Sequence, residues 1–204
     1  MKLIHCADIH LDSPMQTHMT AQQASVRNTE MLQSFVRLTK FAQEHAVRAV
    51  LIAGDLFDGA RVRARTVDAL LAAIHRTPEV DYLYLPGNHD EAANAFCDCA
   101  LPGNLKLFGK TWSTVQYDGI AISGVQIGAD AALYETLPHT DGAVNLVMLH
   151  GGIGTACGED MINLNLLKNR GIDYLALGHI HSYQTGPLDE TGIYCYPGCL
   201  EGRG

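Results

Sequence analysis

Apolar residues fall into two rhythms along this chain. Short, largely apolar runs at residues 2–7, 47–53, 81–85, 144–149 and 173–177 each end in a polar or glycine-rich cluster, and they predict buried strands. Between the first three runs lie two stretches of helical period. One covers residues 21–44, with Met31, Leu32, Phe35, Leu38 and Ala42 on a single stripe. The other sets Val67, Leu70, Leu71 and Ile74 at i, i+3, i+4 and i+7 ahead of Pro78. The order strand–helix–strand–helix–strand predicts parallel pairing through right-handed crossovers, an α/β fold. Residues 11–20, which include Pro14, read as an irregular connection.

The middle of the chain changes character. Residues 105–108, 113–117 and 120–125 are short strands separated by Gly109 and by the Asp118-Gly119 turn, and they predict an antiparallel hairpin region. A short helix is expected at 130–137 and a second, weakly periodic one at 158–170. Residues 193–196 form a last short strand before Pro197-Gly198.

At 204 residues the chain suffices for one substantial core, so residues 1–204 are expected to form one domain. The closing Glu201-Gly202-Arg203-Gly204 reads like the interior of a longer protein. No apolar run approaches the roughly 18 residues of a membrane span, and charges come too early in the first dozen residues for a signal peptide. A cytoplasmic location without membrane contact is the expectation. Cys6, Cys97, Cys99, Cys157, Cys195 and Cys199 lack zinc-finger spacing and are expected as reduced thiols. Twenty-two acidic against fourteen basic residues give a net charge of −8, which argues against a broad basic nucleic-acid face. Two divalent cations would bring −8 to −4, all of it in one cleft.

The chemistry sits at the strand ends. Asp8 and His10, Asp55, Asn88 and His89, His150, and His179 and His181 each follow an apolar run. In open α/β sheets the carboxyl ends of the strands gather along one edge, where ligands bind. A buried carboxylate such as Asp55 is costly there unless a cation meets it. The donors are nitrogen and oxygen without thiolate, a set suited to Mn²⁺, Fe or Zn²⁺. With His89 set aside, seven ligands exceed the needs of one ion. Two ions roughly 3.5–4 Å apart that share Asp55 use them all, and a water between them would be ionised near neutral pH. Phosphorus esters fit such a pair, because the cations neutralise charge that builds on the phosphate oxygens.

Taken together, Asp8-Ile9-His10, Gly54-Asp55, Gly87-Asn88-His89-Asp90, His150 and Gly178-His179-Ile180-His181 resemble the calcineurin-like metallophosphoesterases. The flanking ADIHLDSP, GDLFD and YPGCLEGRG are similar to the DNA-repair exonuclease branch with its SbcD-type nucleases. The resemblance implies two facing mixed β-sheets flanked by helices, a metallophosphoesterase αββα sandwich whose C-terminal edge is expected to be incomplete here. It implies Asp8, His10, Asp55 and His181 on one ion, and Asp55, Asn88, His150 and His179 on the other. It implies His89 facing the scissile phosphate as charge stabiliser or acid, with Asp90 orienting its ring. Mn²⁺, a DNA substrate and a partner ATPase follow from the same branch. The branch's C-terminal DNA-capping domain has no counterpart within these residues.

Arg61 matches the G-D-L-F-x-x-x-R pattern of that branch and is the best placed of Arg61, Arg63 and Arg65 to touch a substrate phosphate. His5 is expected in the core; His18, His45, His75 and His139 are expected on the surface, and Trp112 and Tyr117 as packing residues. The expected function is a dinuclear metal phosphodiesterase of DNA-repair type, exonuclease or endonuclease. The alternatives are a small-molecule phosphodiesterase or phosphatase acting on cyclic or modified nucleotides, and a metal-binding scaffold without catalysis.

Overall fold

The computed structural model describes residues 1–14, 19–58, 62–87, 90, 96, 99–126, 132–156, 158 and 160–202. Four strands, β1 (Leu3–Cys6), β2 (Ala49–Ala53), β3 (Asp81–Leu85) and β4 (Leu105–Leu107), pair in parallel in chain order as a first sheet. Two long helices, α1 (Ala21–Glu44) and α2 (Ala64–His75), make the first two crossovers and cover its outer face. A second sheet of six strands has the order β11-β12-β10-β7-β6-β5. Its members are β5 (Ser113–Tyr117), β6 (Ile120–Gly124), β7 (Val144–His150), β10 (Tyr174–Gly178), β11 (Gln184–Pro187) and β12 (Ile193–Tyr196). The β5–β6 and β11–β12 pairs are antiparallel and the others parallel. A two-stranded parallel ribbon, β8 (Gly152–Gly154) with β9 (Met161–Asn163), follows His150, and one turn of helix, α3 (Ala132–Glu135), precedes β7. The α/β sandwich of two facing sheets with flanking helices is the architecture found, the first sheet all parallel and the second mixed.

Strand alternation explains how the layers stack. On β2, Val50 and Ile52 point to the helices and meet Phe35, Leu70 and Ile74, whereas Ala49, Leu51 and Ala53 point to the second sheet. On β7, Leu146 and Met148 face the first sheet, and Val147 and Leu149 face outward onto Ile162, Leu167 and Tyr134. Both faces of these strands are therefore covered, which is why they read as largely apolar runs. Helix α1 starts at Thr20, whose side chain and Gln23 form a reciprocal capping box, and the chain turns after it with Ala46 at φ 52. At the end remote from the strand-end cluster, the Asp81 carboxylate accepts bonds from the Tyr117 hydroxyl and Lys106 and pairs with Arg48, joining the two sheets.

Several expectations need correction. Residues 105–108 do not belong to an antiparallel hairpin region: β4 adds in parallel to β3, and of these three segments β5 and β6 form the hairpin. The cause is tertiary, because Phe108 packs between the sheets beside Gly124 and pulls the chain across at Gly109. The helix expected at 158–170 is β9 followed by a 3₁₀ turn, Leu164–Leu166; the Asn163 side chain caps that turn, and Asn169 (φ 57) and Gly171 (φ 72) stop its continuation. The helix expected at 130–137 shrinks to the single turn α3, with Asp130 outside the described residues. The exposed strands β8 and β11 carry no apolar alternation and escape a pattern reading. Cys6, Cys99 and Cys195 are free thiols and the Cys199 Sγ donates to the His181 carbonyl at 3.3 Å, whereas Cys97 and Cys157 lie outside the described residues. His5, expected in the core, is half-buried: its Nδ1 meets the Tyr174 hydroxyl at 2.9 Å, and desolvation of the ring lowers its pKa to about 4. Among the described residues no helix is long and apolar enough to cross a membrane.

The sheets approach closely at Gly178, where a Cβ would lie 1.7 Å from the Ala53 carbonyl oxygen. Neither strand has slack to accept it. Gly178→Ala should lower stability by about 3 kcal/mol, the upper part of the overpacking range, as read by chemical denaturation; a loss below about 1 kcal/mol would show that the seam yields.

Candidate metal centre

The carboxyl ends of β1, β2, β7 and β10 lie together at the seam between the sheets. The loop after β1 runs alongside the loop after β2, zipped by Asp8 N–H to Gly54 O (3.1 Å), His10 N–H to Asp55 O (2.9 Å) and Leu11 N–H to Leu56 O (2.9 Å). From the second sheet, the His179 N–H donates to both Asp8 carboxylate oxygens at 2.9 and 3.1 Å. Gly151 N–H bonds to Gly178 O, and the Tyr196 hydroxyl donates to Gly151 O at 2.7 Å, holding the turn that follows His150.

The backbone is unusual here. Seven described non-glycine residues have positive φ, and four of them are predicted ligands: Asp8 (51°), His10 (51°), Asp55 (50°) and His179 (107°). Such conformations cost free energy and persist only where the surroundings enforce them, typically at functional sites. Gly54 (φ +88) lies between them, and a Cβ there would sit 2.0 Å from His150 Nδ1. The missing side chain is what admits the imidazole.

Two groups of donors result. Asp8, His10 and His181 each place a ligand atom within 4.8 Å of the others, and so do Asp8, Asp55 and His150. His10 Nε2 and His181 Nε2 are 3.1 Å apart, while Asp55 Oδ2 stands 3.8 Å from His10 Nε2 and 3.4 Å from His150 Nε2. Donor atoms that share one ion at about 2.1 Å stand roughly 3–3.5 Å apart, so the set is of the right size. Asp8 is common to both groups, and Asp55 spans the two histidine sides. His179 belongs to neither compact group; its ring stands edge-on to that of His150, with centroids 5.5 Å apart. Asn88, His89 and Arg61 lie outside the described residues.

The chemistry of the donors tests the fit to a cation. His150 Nδ1 donates to Ala53 O at 2.9 Å, so in the neutral ring Nε2 carries the lone pair and faces the Asp55 carboxylate. Two acceptors aimed at each other in a buried site need a positive charge between them. Asp8, Asp55 and His10 are each 1% exposed. Burial pushes the Asp8 carboxyl up to about 7, with the Asp55 and Asp90 charges adding to the shift and His150 and the His179 amide opposing it. Burial works against charging His150, yet the Asp55 carboxylate, the Ala53 carbonyl and Asp8 outweigh it and raise its pKa. The residues present fit divalent cations.

The surroundings hold residues that the pattern reading passed over. Asp58, three positions beyond Asp55, accepts from the Ser13 hydroxyl at 2.7 Å and places Oδ2 3.8 Å from His10 Nδ1. A second carboxylate in the same strand-end loop was the available signal. Arg63 is not free for a phosphate: its backbone N–H, Nε and Nη2 all bond to Asp12, which also accepts from Thr66. Asp90 is 8% exposed, and its carboxylate accepts from the backbone N–H groups of Leu56, Phe57 and Gly87. Its expected partner His89 lies outside the described residues.

Residues 1–183 match the family described as calcineurin-like phosphoesterase. The chain belongs to that family. It is similar to the uncharacterized metallophosphoesterase YhaO of Bacillus subtilis (strain 168), with 27% identity over 221 aligned residues covering 100% of this chain and 54% of the relative. It is 24% identical to the DNA double-strand break repair protein Mre11 of Methanopyrus kandleri, over 89% of this chain and 44% of that protein. The chain thus spans about half the length of these curated relatives. Among solved structures, TT1561 of Thermus thermophilus superposes with a TM-score of 0.62 at 14% identity, covering 97% of this chain and 89% of its own. A dimetal phosphatase from Danio rerio gives a TM-score of 0.64 at 12% identity, over 97% and 86% respectively. At these identities the two structures speak for the fold.

The raised Asp8 carboxyl sets a pH dependence for this metallophosphoesterase. A carboxyl with a raised folded-state pKa favours folding while protonated, so its contribution is present below about pH 4 and is lost as pH rises through about 7. Asp90, which burial pushes up to about 6, acts in the same sense. The chelator-treated protein should therefore lose thermal stability from about pH 5 to about pH 8, and Mn²⁺ should abolish that loss. Melting curves with chelator and with Mn²⁺ check it; a chelated protein whose Tm climbs over this range contradicts the assignment.

Proposed function

We propose that this chain is a dinuclear metal-dependent phosphodiesterase of the DNA-repair nuclease type. The observation that carries the reading is the buried donor set at the sheet seam, Asp8, His10, Asp55, His150 and His181, with the Asp8 and Asp55 carboxylates facing imidazole nitrogens. The nuclease specificity draws on the flanking sequence and on the similarity to a protein named for double-strand break repair.

In this reading Asp8, His10, Asp55 and His181 hold one ion, and Asp55, Asn88, His150 and His179 the other, with Mn²⁺ as the activating metal. Such a pair, when bound, neutralises phosphate charge and supplies an ionised water at neutral pH. The chain's own residues do the rest. The bond from His150 Nδ1 to Ala53 O keeps its Nε2 lone pair turned into the site, and the His179 amide fixes both oxygens of Asp8. His89 faces the scissile phosphate as charge stabiliser or as acid to the leaving oxygen, and Arg61 contacts the substrate phosphate. The protein works in the cytoplasm with a partner ATPase.

The net charge of −8 favours one competing reading, a small-molecule phosphodiesterase without a DNA-binding face. Bis-p-nitrophenyl phosphate and single- and double-stranded DNA, each with Mn²⁺, separate the two. Degradation of DNA is expected; hydrolysis of the small diester with DNA left intact assigns the small-molecule role, and no turnover of either leaves a metal-binding scaffold. His89→Ala should keep two bound metals while kcat falls by about 10²–10⁴. Wild-type activity in that variant overturns the role given to His89. Asp55→Asn should weaken both metal sites together, as read by elemental analysis, whereas retention of two tightly bound ions excludes it as the bridge.

A further inference from the structure

We propose that Asp90 is a positioning residue for the metal-ligand loop after β2, which it holds through backbone amides. The inference rests on the metal site of the proposed function. Three N–H groups from two separate segments converge on one carboxylate: Asp90 Oδ1 accepts from Phe57 at 2.7 Å, and Oδ2 accepts from Leu56 at 3.1 Å and Gly87 at 2.9 Å. The group is 8% exposed. Three of its four acceptor positions are spent on main chain.

What these bonds hold is the geometry of the ligands. Leu56 and Phe57 follow Asp55 directly, and Asp55 sits at φ 50, a conformation its own preferences disfavour. Gly87 lies against the same residue: a Cβ there would be 2.2 Å from Asp55 Oδ1 and 2.6 Å from its backbone nitrogen. Asp90 therefore clamps the β3 loop onto the β2 loop with the Asp55 carboxylate between them. The β1 loop rides on the same segment through His10 N–H to Asp55 O and Leu11 N–H to Leu56 O. A shift at Leu56 passes to His10 as well as to Asp55, so both ions feel it.

An ionised carboxylate satisfies all three converging donors. An amide in its place turns an NH₂ toward at least one of them, and an alanine leaves all three bare. This role differs from orienting the neighbouring histidine, and the two predict opposite outcomes. In Asp90→Asn, Mn²⁺ affinity measured by calorimetry without substrate should fall about 10–100-fold at both sites. In the chelator-treated variant the Leu56 and Phe57 amides should lose protection from hydrogen exchange. Saturating Mn²⁺ should refill both sites and restore the protection of the Leu56 and Phe57 amides. Unchanged metal affinity with a lost kcat overturns the proposal in favour of a role on the reacting atoms; lost affinity with no restoration by metal overturns it in favour of general structural damage. Should the asparagine variant not fold, Asp90→Glu, which keeps the charge but moves the carboxylate by one methylene, is read by the same criteria. Metal affinity and amide exchange need no turnover, so a wild-type protein that binds two ions without hydrolysing diesters refutes the function and leaves Asp90 in this role.

Discussion

Two carboxylates buried side by side are the constraint on which this domain turns. Asp8 and Asp55 are each 1% exposed, they come from adjacent parallel strands, and imidazole nitrogens of His10 and His150 face the Asp55 carboxylate. Charge of one sign concentrated out of water is unfavourable unless a cation shares the site. The fold accepts this locally: the loop conformations around these groups are themselves costly, and Asp8, Asp55 and His10 all have positive φ. The stability of the sandwich therefore comes from elsewhere, from the apolar layers on either face of each sheet, and the seam draws on it.

The order of the strands fixes which side chains meet. Parallel strands β1, β2, β7 and β10 all deliver their carboxyl ends to the same edge, so donors as distant in sequence as Asp8 and His181 become neighbours without a long excursion of the chain. The short bonds that join the loops, Asp8 to the His179 amide and His150 to the Ala53 carbonyl, run between the two sheets. Metal binding and sheet packing are thereby one problem, because neither sheet alone carries a complete donor group.

Much of this could be read in the sequence, for a physical reason. A strand covered on both faces such as β3 appears as an apolar run and α1 declares itself through a long stripe ahead of a polar break, while the partly buried β5 and β12 are marked by the turn residues beside them, so all four are found where the pattern places them. Donors that follow such runs were legible too, since a strand end is a fixed place in an α/β fold. What escaped depends on partners far away in sequence. The parallel pairing of β4 is decided by where Phe108 packs, and β8 and β11 are strands only because a neighbour supplies their hydrogen bonds. The Arg63 guanidinium looked available for phosphate in a basic loop, and only the position of Asp12 shows it to be engaged. His179 stands edge-on to His150, although its ring belongs to neither compact group.

Most of the interior between the sheets is filled by large side chains such as Leu51, Leu83, Phe108 and Met148, but near the strand ends Ala7 and Ala53 are small and at Gly178 the backbones nearly touch. Spacing there is set by main chain against main chain, which leaves no cushion of large side chains to compress or drift. A platform of that kind keeps its donors in place while the surrounding rims, such as the glycine-rich ribbon after His150, are exchanged in length and composition. The same cation cradle can then be offered to differently shaped esters by rebuilding only the outskirts.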